Sequence, residues 1–165
     1  MSHTIGDMKS AYVFFNRKRF NGRLPSPYGW GMTLHVGHVD DGIAECDTDS
    51  ITFSNRYFGN DIRRDLYVLF HEMCHVYTGW EQSDCAHHVA VSSHGGAWAA
   101  EMLANDIRLV SDVGHAEVVP GGSFDRLCDE WIEHRGQRVT DTELSAAPFV
   151  AAGIAALVLI VIFAG

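Results

Sequence analysis

His71-Glu72-Met73-Cys74-His75 sets two histidines four residues apart with a glutamate beside the first, a spacing suited to metal-assisted hydrolysis. Residues four apart on a helix lie one turn along and about 40° around the axis, so both imidazoles reach one ion from the same side. Glu72 is displaced from that pair, too far round to be an equal ligand but placed to take a proton from a metal-bound water. Two neutral nitrogen ligands with an adjacent carboxylate base describe a zinc hydrolase. The chain has ten histidines, enough for the pentapeptide to arise by chance, so the surrounding elements must decide.

Ile62, Leu66, Leu69, Phe70, Met73, Val76 and Tyr77 recur at the three-and-four spacing of an apolar helix face. The pattern predicts a helix with Asn60 or Asp61 as N-cap and Gly79 as its stop, the histidines lining a cleft at the core's edge. Tyr67 and Tyr77 flank the motif at spacings that favour packing. A catalytic zinc takes three protein ligands and keeps one position open. A metzincin would place its next histidine where Glu81 stands and a glycine where Thr78 stands, so that arrangement fails. Two candidates remain for the third ligand. His94 opens His94-Gly95-Gly96-Ala97-Trp98, with Ser92 or Ser93 as the cap of a second helix whose apolar face is Trp98, Met102, Leu103 and Ile107. Glu101 lies seven residues after His94 on the same face and is the gluzincin-type alternative. Cys85, His87 and His88 sit in the joining segment 80–93, which opens no clear helix and reads as a loop shaping access to the cleft.

These residues resemble the SprT-like (Spartan-type) zinc metalloproteases, whose pattern is H-E-x-x-H followed by H-G-x-x-F or W at the start of the next helix. The resemblance extends upstream. Phe14-Phe15-Asn16-Arg17-Lys18-Arg19-Phe20-Asn21-Gly22-Arg23-Leu24-Pro25 is similar to the family's opening helix and its F-N-x-x-x-F-x-G-x-L-P exit. Trp30-Gly31-Met32-Thr33 and Ile51-Thr52-Phe53-Ser54 stand where the family has strands, so the likeness covers roughly residues 8–110. It implies an α+β, zincin-like metalloprotease core with helices packed on a small antiparallel sheet. It also implies one Zn2+ per chain held by His71, His75 and His94, Glu72 as general base, Glu101 as a structural carboxylate, and a protein or peptide substrate.

The remaining sequence supplies the elements that must position this site. Asp7 to Asn21 reads as an amphipathic helix, and Trp30 to Gly37 alternates as a half-buried strand that leaves His35 and His38 solvated. Ile43 to Cys46 and Ser50 to Ser54 read as further strands of an antiparallel meander, one of whose edges would accept an extended peptide. Phe124, Leu127, Cys128, Trp131 and Ile132 predict a last helix over Ser123 to His134. Cys46, Cys74, Cys85 and Cys128 form no C-x-x-C pair, which argues against a second, structural zinc and fits a reducing compartment. Every charged residue precedes Ala146, and the net charge of -9 argues against a nucleic-acid partner. The basic group Arg17, Lys18, Arg19 and Arg23 suits a helix C-terminus.

From Ala146 to Gly165 no side chain is charged or polar. A helix of about 20 residues spans about 30 Å, the bilayer's hydrocarbon thickness. The expected organisation is therefore a metallopeptidase domain over 1–135, a polar linker over 136–145 and a C-terminal single transmembrane helix over 146–165 acting as a tail anchor. Met1 to Ser10 does not read as a secretory signal, and Arg135 and Arg138 precede the span, so the catalytic domain is expected on the cytoplasmic side of the membrane. Three functions follow as expectations: a membrane-tethered zinc endopeptidase, a zinc-binding but catalytically idle membrane adaptor, or a membrane protein that stores or senses metal.

Overall fold

A computed structural model describes residues 3–40, 42–47, 49–82, 96–109 and 116–135. In chain order these form α1 (Ile5–Arg19), β1 (Thr33–Gly37), β2 (Ala44–Cys46), β3 (Ser50–Ser54), α2 (Ile62–Gln82), α3 (Gly96–Ala104), β4 (Ile107–Leu109), β5 (Ala116–Val118) and α4 (Ser123–His134). Four helices and two small sheets make an α+β fold.

Helix α1 starts at a capping box, in which Thr4 and Asp7 satisfy each other's backbone N–H groups. It ends in a turn held by Asn16. The Asn16 amide accepts from Leu24 N–H and donates to Leu24 C=O (3.1 and 2.9 Å), while Asn21 and Gly22 take the left-handed backbone the reversal requires. That reversal seats Phe20 against Phe70 and Tyr77 of α2. Three basic residues at and beyond the end of α1 tie it to other helices. Lys18 pairs with Glu130 of α4, Arg19 donates to Ser123 C=O, and Arg23 donates to the Tyr77 hydroxyl.

The first sheet has the order β1-β3-β2. The expected antiparallel meander is only half present: β2 and β3 pair antiparallel, whereas β1 and β3 pair parallel. Because the β2–β3 hairpin folds outward, β3 becomes the central strand, and it is buried along Ile51 to Ser54. Strand β1 buries Leu34, with Met32 just before it, but Trp30 and Val36 are exposed, so the alternation read from Trp30 holds only in its middle. His35 lies 2.9 Å from the Thr52 hydroxyl and His38 pairs with Asp40; both histidines are exposed. A second sheet, the β4–β5 hairpin, has strands of three residues, too short to show a period in the sequence.

Helix α2 runs through the centre of the molecule. Leu66, Leu69, Phe70 and Met73 are fully buried on one side, and Val68, Glu72 and Val76 are buried on others. Phe15, Phe70 and Phe124 meet with ring centroids 4.8 to 5.9 Å apart, joining α1, α2 and α4. Asp61 caps α2 by accepting from the N–H groups of Arg63 and Arg64. The predicted stop at Gly79 is passed. One glycine costs a helix about 1 kcal/mol, too little to end one that is held by packing on several sides.

The expected C-terminal transmembrane helix is not supported. Among the described residues no helix is long and apolar enough to cross a membrane. Helix α2 has sufficient length at 21 residues, but Arg63, Arg64, Asp65 and Glu72 make it amphipathic. The anchor placed over 146–165 and the linker over 136–145 lie outside the described residues. The single-pass membrane location and the cytoplasmic orientation inferred from the anchor fall with it.

Asp65 ties three segments together from the first turns of α2. Its carboxylate accepts from Gly59 N–H at 2.7 Å, meets His3 Nε2 at 2.7 Å and accepts from the Arg64 guanidinium, and the His3 and Asp65 side chains are each 1% exposed. Removing the acceptor strands a buried imidazole and a part-buried N–H group. Asp65→Ala is therefore expected to destabilise the fold by about 3 kcal/mol or more. His3→Ala, which leaves Asp65 its other donors, should cost about 1 to 2 kcal/mol. Urea denaturation of the two variants checks both the size and the order.

Candidate metal centre

Helix α2 brings His71 and His75 together as their spacing requires. Their Nε2 atoms lie 3.2 Å apart, with ring centroids separated by 4.9 Å. Both side chains are half-buried, in contrast to the exposed His35 and His38. The separation is informative. Two imidazoles bound to zinc at about 2.0–2.1 Å in a tetrahedral shell have their nitrogens about 3.3 Å apart. The separation of the pair therefore matches that of two zinc-bound nitrogens. It equally allows one neutral imidazole to donate to the other.

Glu72 lies one residue, about 100°, round the helix from His71 and points under the first sheet. It is buried, and that burial lifts its carboxyl pKa to about 7. A hydrogen bond from the Cys46 thiol on β2 acts in the opposite direction by favouring the charged form, while the nearby Glu45 carboxylate raises the pKa further. The contact between Cys46 and Glu72 fixes which strand covers the proposed base. Sequence spacing put Glu72 beside the histidines but carried no sign of a thiol partner contributed by β2.

Cys74, although inside the pentapeptide, faces the core. Burial raises its pKa well above the usual thiol value, with Glu101 and Glu72 adding to the effect, so it stays a neutral thiol and a poor metal ligand. Among the described residues Cys46, Cys74 and Cys128 form no disulfide with one another. Tyr67 packs edge-on to His71 with centroids 6.1 Å apart, and burial pushes its hydroxyl up to about 12. Tyr77 accepts from Arg23.

Helix α3 closes over the histidines through Trp98. The indole is 2% exposed, stacks on His75 at 5.4 Å with planes 15° apart, and meets His71 nearly edge-on at 4.9 Å. The periodicity of α3 assigned Trp98 to an apolar face together with Met102, which is also buried. Leu103, placed on that face as well, is exposed, and Ile107 belongs to β4. Contact between Trp98 and both histidines is a feature that the pattern did not reveal. Its only trace is the fixed offset of four residues from His94.

The candidate third ligands fare differently. His94 lies outside the described residues, as do Cys85, His87 and His88. Glu101 is described, half-buried on α3, and does not complete the pair: among the described residues no group of three or more His, Cys, Asp or Glu side chains could hold a metal ion.

The raised pKa of Glu72 makes stability depend on pH. The native carboxyl holds its proton up to about 7, whereas an unfolded one releases it near 4.5. Between those values the native state binds more protons, so stability falls as pH rises. At about 1.4 kcal/mol per pKa unit, the loss amounts to roughly 3 kcal/mol by pH 8 in the metal-free chain. Glu72→Gln should remove most of that slope, a difference measurable by urea denaturation at pH 5 and pH 8 in the presence of a chelator.

No family model, curated protein or solved structure matches this chain, so its chemistry is read from the site itself.

Proposed function

We propose that this protein is a zinc-dependent endopeptidase in which His71 and His75 supply two ligands, His94 supplies the third and Glu72 is the general base. The observation that carries this reading is the convergence of two half-buried imidazole nitrogens to 3.2 Å, the edge length of a tetrahedral zinc shell. A bound zinc would polarise the scissile carbonyl and acidify a water. Glu72 takes the proton released during attack and returns it to the leaving amine. A carboxyl with pKa near neutrality serves both steps, since it is neither too weak to accept the proton nor too strong to give it back.

The substrate class is read from β2. This strand ends the sheet and touches Glu72 through Cys46. Ile43 C=O accepts from Ser54 and Asp47 N–H donates to Ser50, so the main-chain groups of Glu45 face β3 and those of Ala44 face the outer edge. An extended peptide pairing with that edge runs along α2 past the base, which favours protein segments over compact small molecules.

Zinc is expected at one per chain by elemental analysis, and to be lost in His71→Ala and His75→Ala. Glu72→Gln should keep the metal and lower kcat on a denatured protein substrate at least 100-fold, about the contribution of a positioned general base. Cleavage unchanged in Glu72→Gln would sink the mechanism, and full zinc occupancy with no cleavage by the wild type would assign the idle adaptor instead. Ala44→Pro, which removes an outward N–H without touching the β3 ladder, should raise KM several-fold while zinc content stays constant.

A further inference from the structure

We infer that Trp98 is a positioning residue for the metal ligands, an aromatic clamp that holds both imidazoles in their convergent orientation before a metal arrives. The inference rests on the metal reading above. A half-buried histidine on a helix has several χ1 and χ2 wells available, and a change of well moves its ring nitrogens by ångströms. The backbone of α2 brings His71 and His75 one turn apart, but it does not choose their rotamers. Trp98 does so from a different helix. Its face lies within 15° of parallel to His75 at 5.4 Å, which opposes tilting of that ring toward the indole. The indole meets His71 at 4.9 Å with the planes 65° apart, and Tyr67 flanks the same histidine at 6.1 Å. His71 is thus held between two aromatic residues and His75 rests on one.

The indole face also has an electronic role that an aliphatic side chain would not reproduce. An imidazole that donates its lone pair to a cation becomes electron-poor, and an indole face attracts a ring carrying positive charge. Stacking on His75 should therefore strengthen once the metal is bound. At 2% exposure Trp98 makes both contacts away from bulk water, where such an attraction is least screened. Rotamer restriction before binding and charge stabilisation after it both act in the direction of tighter metal affinity.

The test compares Trp98→Leu, Trp98→Phe and Trp131→Leu in the full chain. Trp131 is equally buried, at 2%, on α4, and serves as a control for loss of a core indole. Zinc affinity is read by competition with a chromophoric chelator, and ligand geometry by the visible absorption of bound Co2+. Trp98→Leu should weaken zinc about 10- to 100-fold, the range for groups that orient metal ligands, and alter the cobalt bands. Trp98→Phe, which keeps a π face, should stay within about threefold of wild type, and Trp131→Leu should leave affinity and spectrum unchanged whatever it does to stability. Wild-type affinity in Trp98→Leu, or an equal loss in Trp131→Leu, would overturn the clamp. Proton NMR of the metal-free wild type gives a second reading that needs no variant to fold. The His75 ring protons should be shifted upfield by the stacked indole, and random-coil shifts would overturn the inference. A wild type that takes up no zinc would overturn the metal reading alone, and the ring-proton shifts would still decide whether the clamp exists.

Discussion

One helix has to be the centre of the core and the carrier of the site, and the rest of the molecule follows from that constraint. Successive residues of α2 point about 100° apart, so Phe70, His71 and Glu72 look in three directions. Phe70 enters the aromatic cluster shared with α1 and α4, His71 turns toward Trp98 of α3, and Glu72 goes under β2. Each direction needs its own cover. The four elements around α2 are those covers, and none is interchangeable with another. A rotation of α2 by one residue would turn either Phe70 or Glu72 to the direction His71 now takes, according to its sense, and move the histidines off Trp98.

Rotation and sliding of α2 are resisted at its first turns more than anywhere else. Asp61 caps the end, Asp65 binds His3 and Gly59, and Arg63 reaches Asp125 and Asp129 of α4. These contacts differ in strength. The Arg63 pairs are at the surface, where each contributes under about 1 kcal/mol, and the buried Asp65 cluster dominates. Phe20 packs against Phe70 and Tyr77, one residue before His71 and two residues after His75. The turn held by Asn16, well away from the histidines, thereby takes part in setting their position.

The helices were legible in the sequence because their signals are local and repeated. Apolar residues at three-and-four spacing located α2 and α4, and Asp61 was one of the two caps foreseen. What depended on distant partners was not legible. The parallel pairing of β1 with β3 follows from which way the β2–β3 hairpin folds, and alternation along a strand carries no record of its neighbours. In the same way, hydrophobic spacing could assign Trp98 to an apolar face without naming the histidines as what that face covers. The tail erred in the opposite sense: a run of apolar composition over 146–165 was read as a spanning helix, a conclusion that the helices of the described residues do not support.

Glu72 is where stability and the proposed function pull apart. A fold selected only to be stable would place a glutamine or an apolar side chain beneath β2, since an ionised carboxylate there works against burial. The structure softens the conflict without removing it. The Cys46 thiol favours the charged form, while Glu45 beside it opposes that form. The balance leaves a carboxyl able to change its protonation at neutral pH, covered by the same strand that ends the sheet among the described residues. Coupling of these two properties through one residue of β2 is the strongest structural argument that the strand and the base belong to a single site. Under the proposed peptidase reading, a peptide that ordered the edge would also exclude water from around Glu72 and so strengthen the electrostatics acting on its carboxyl.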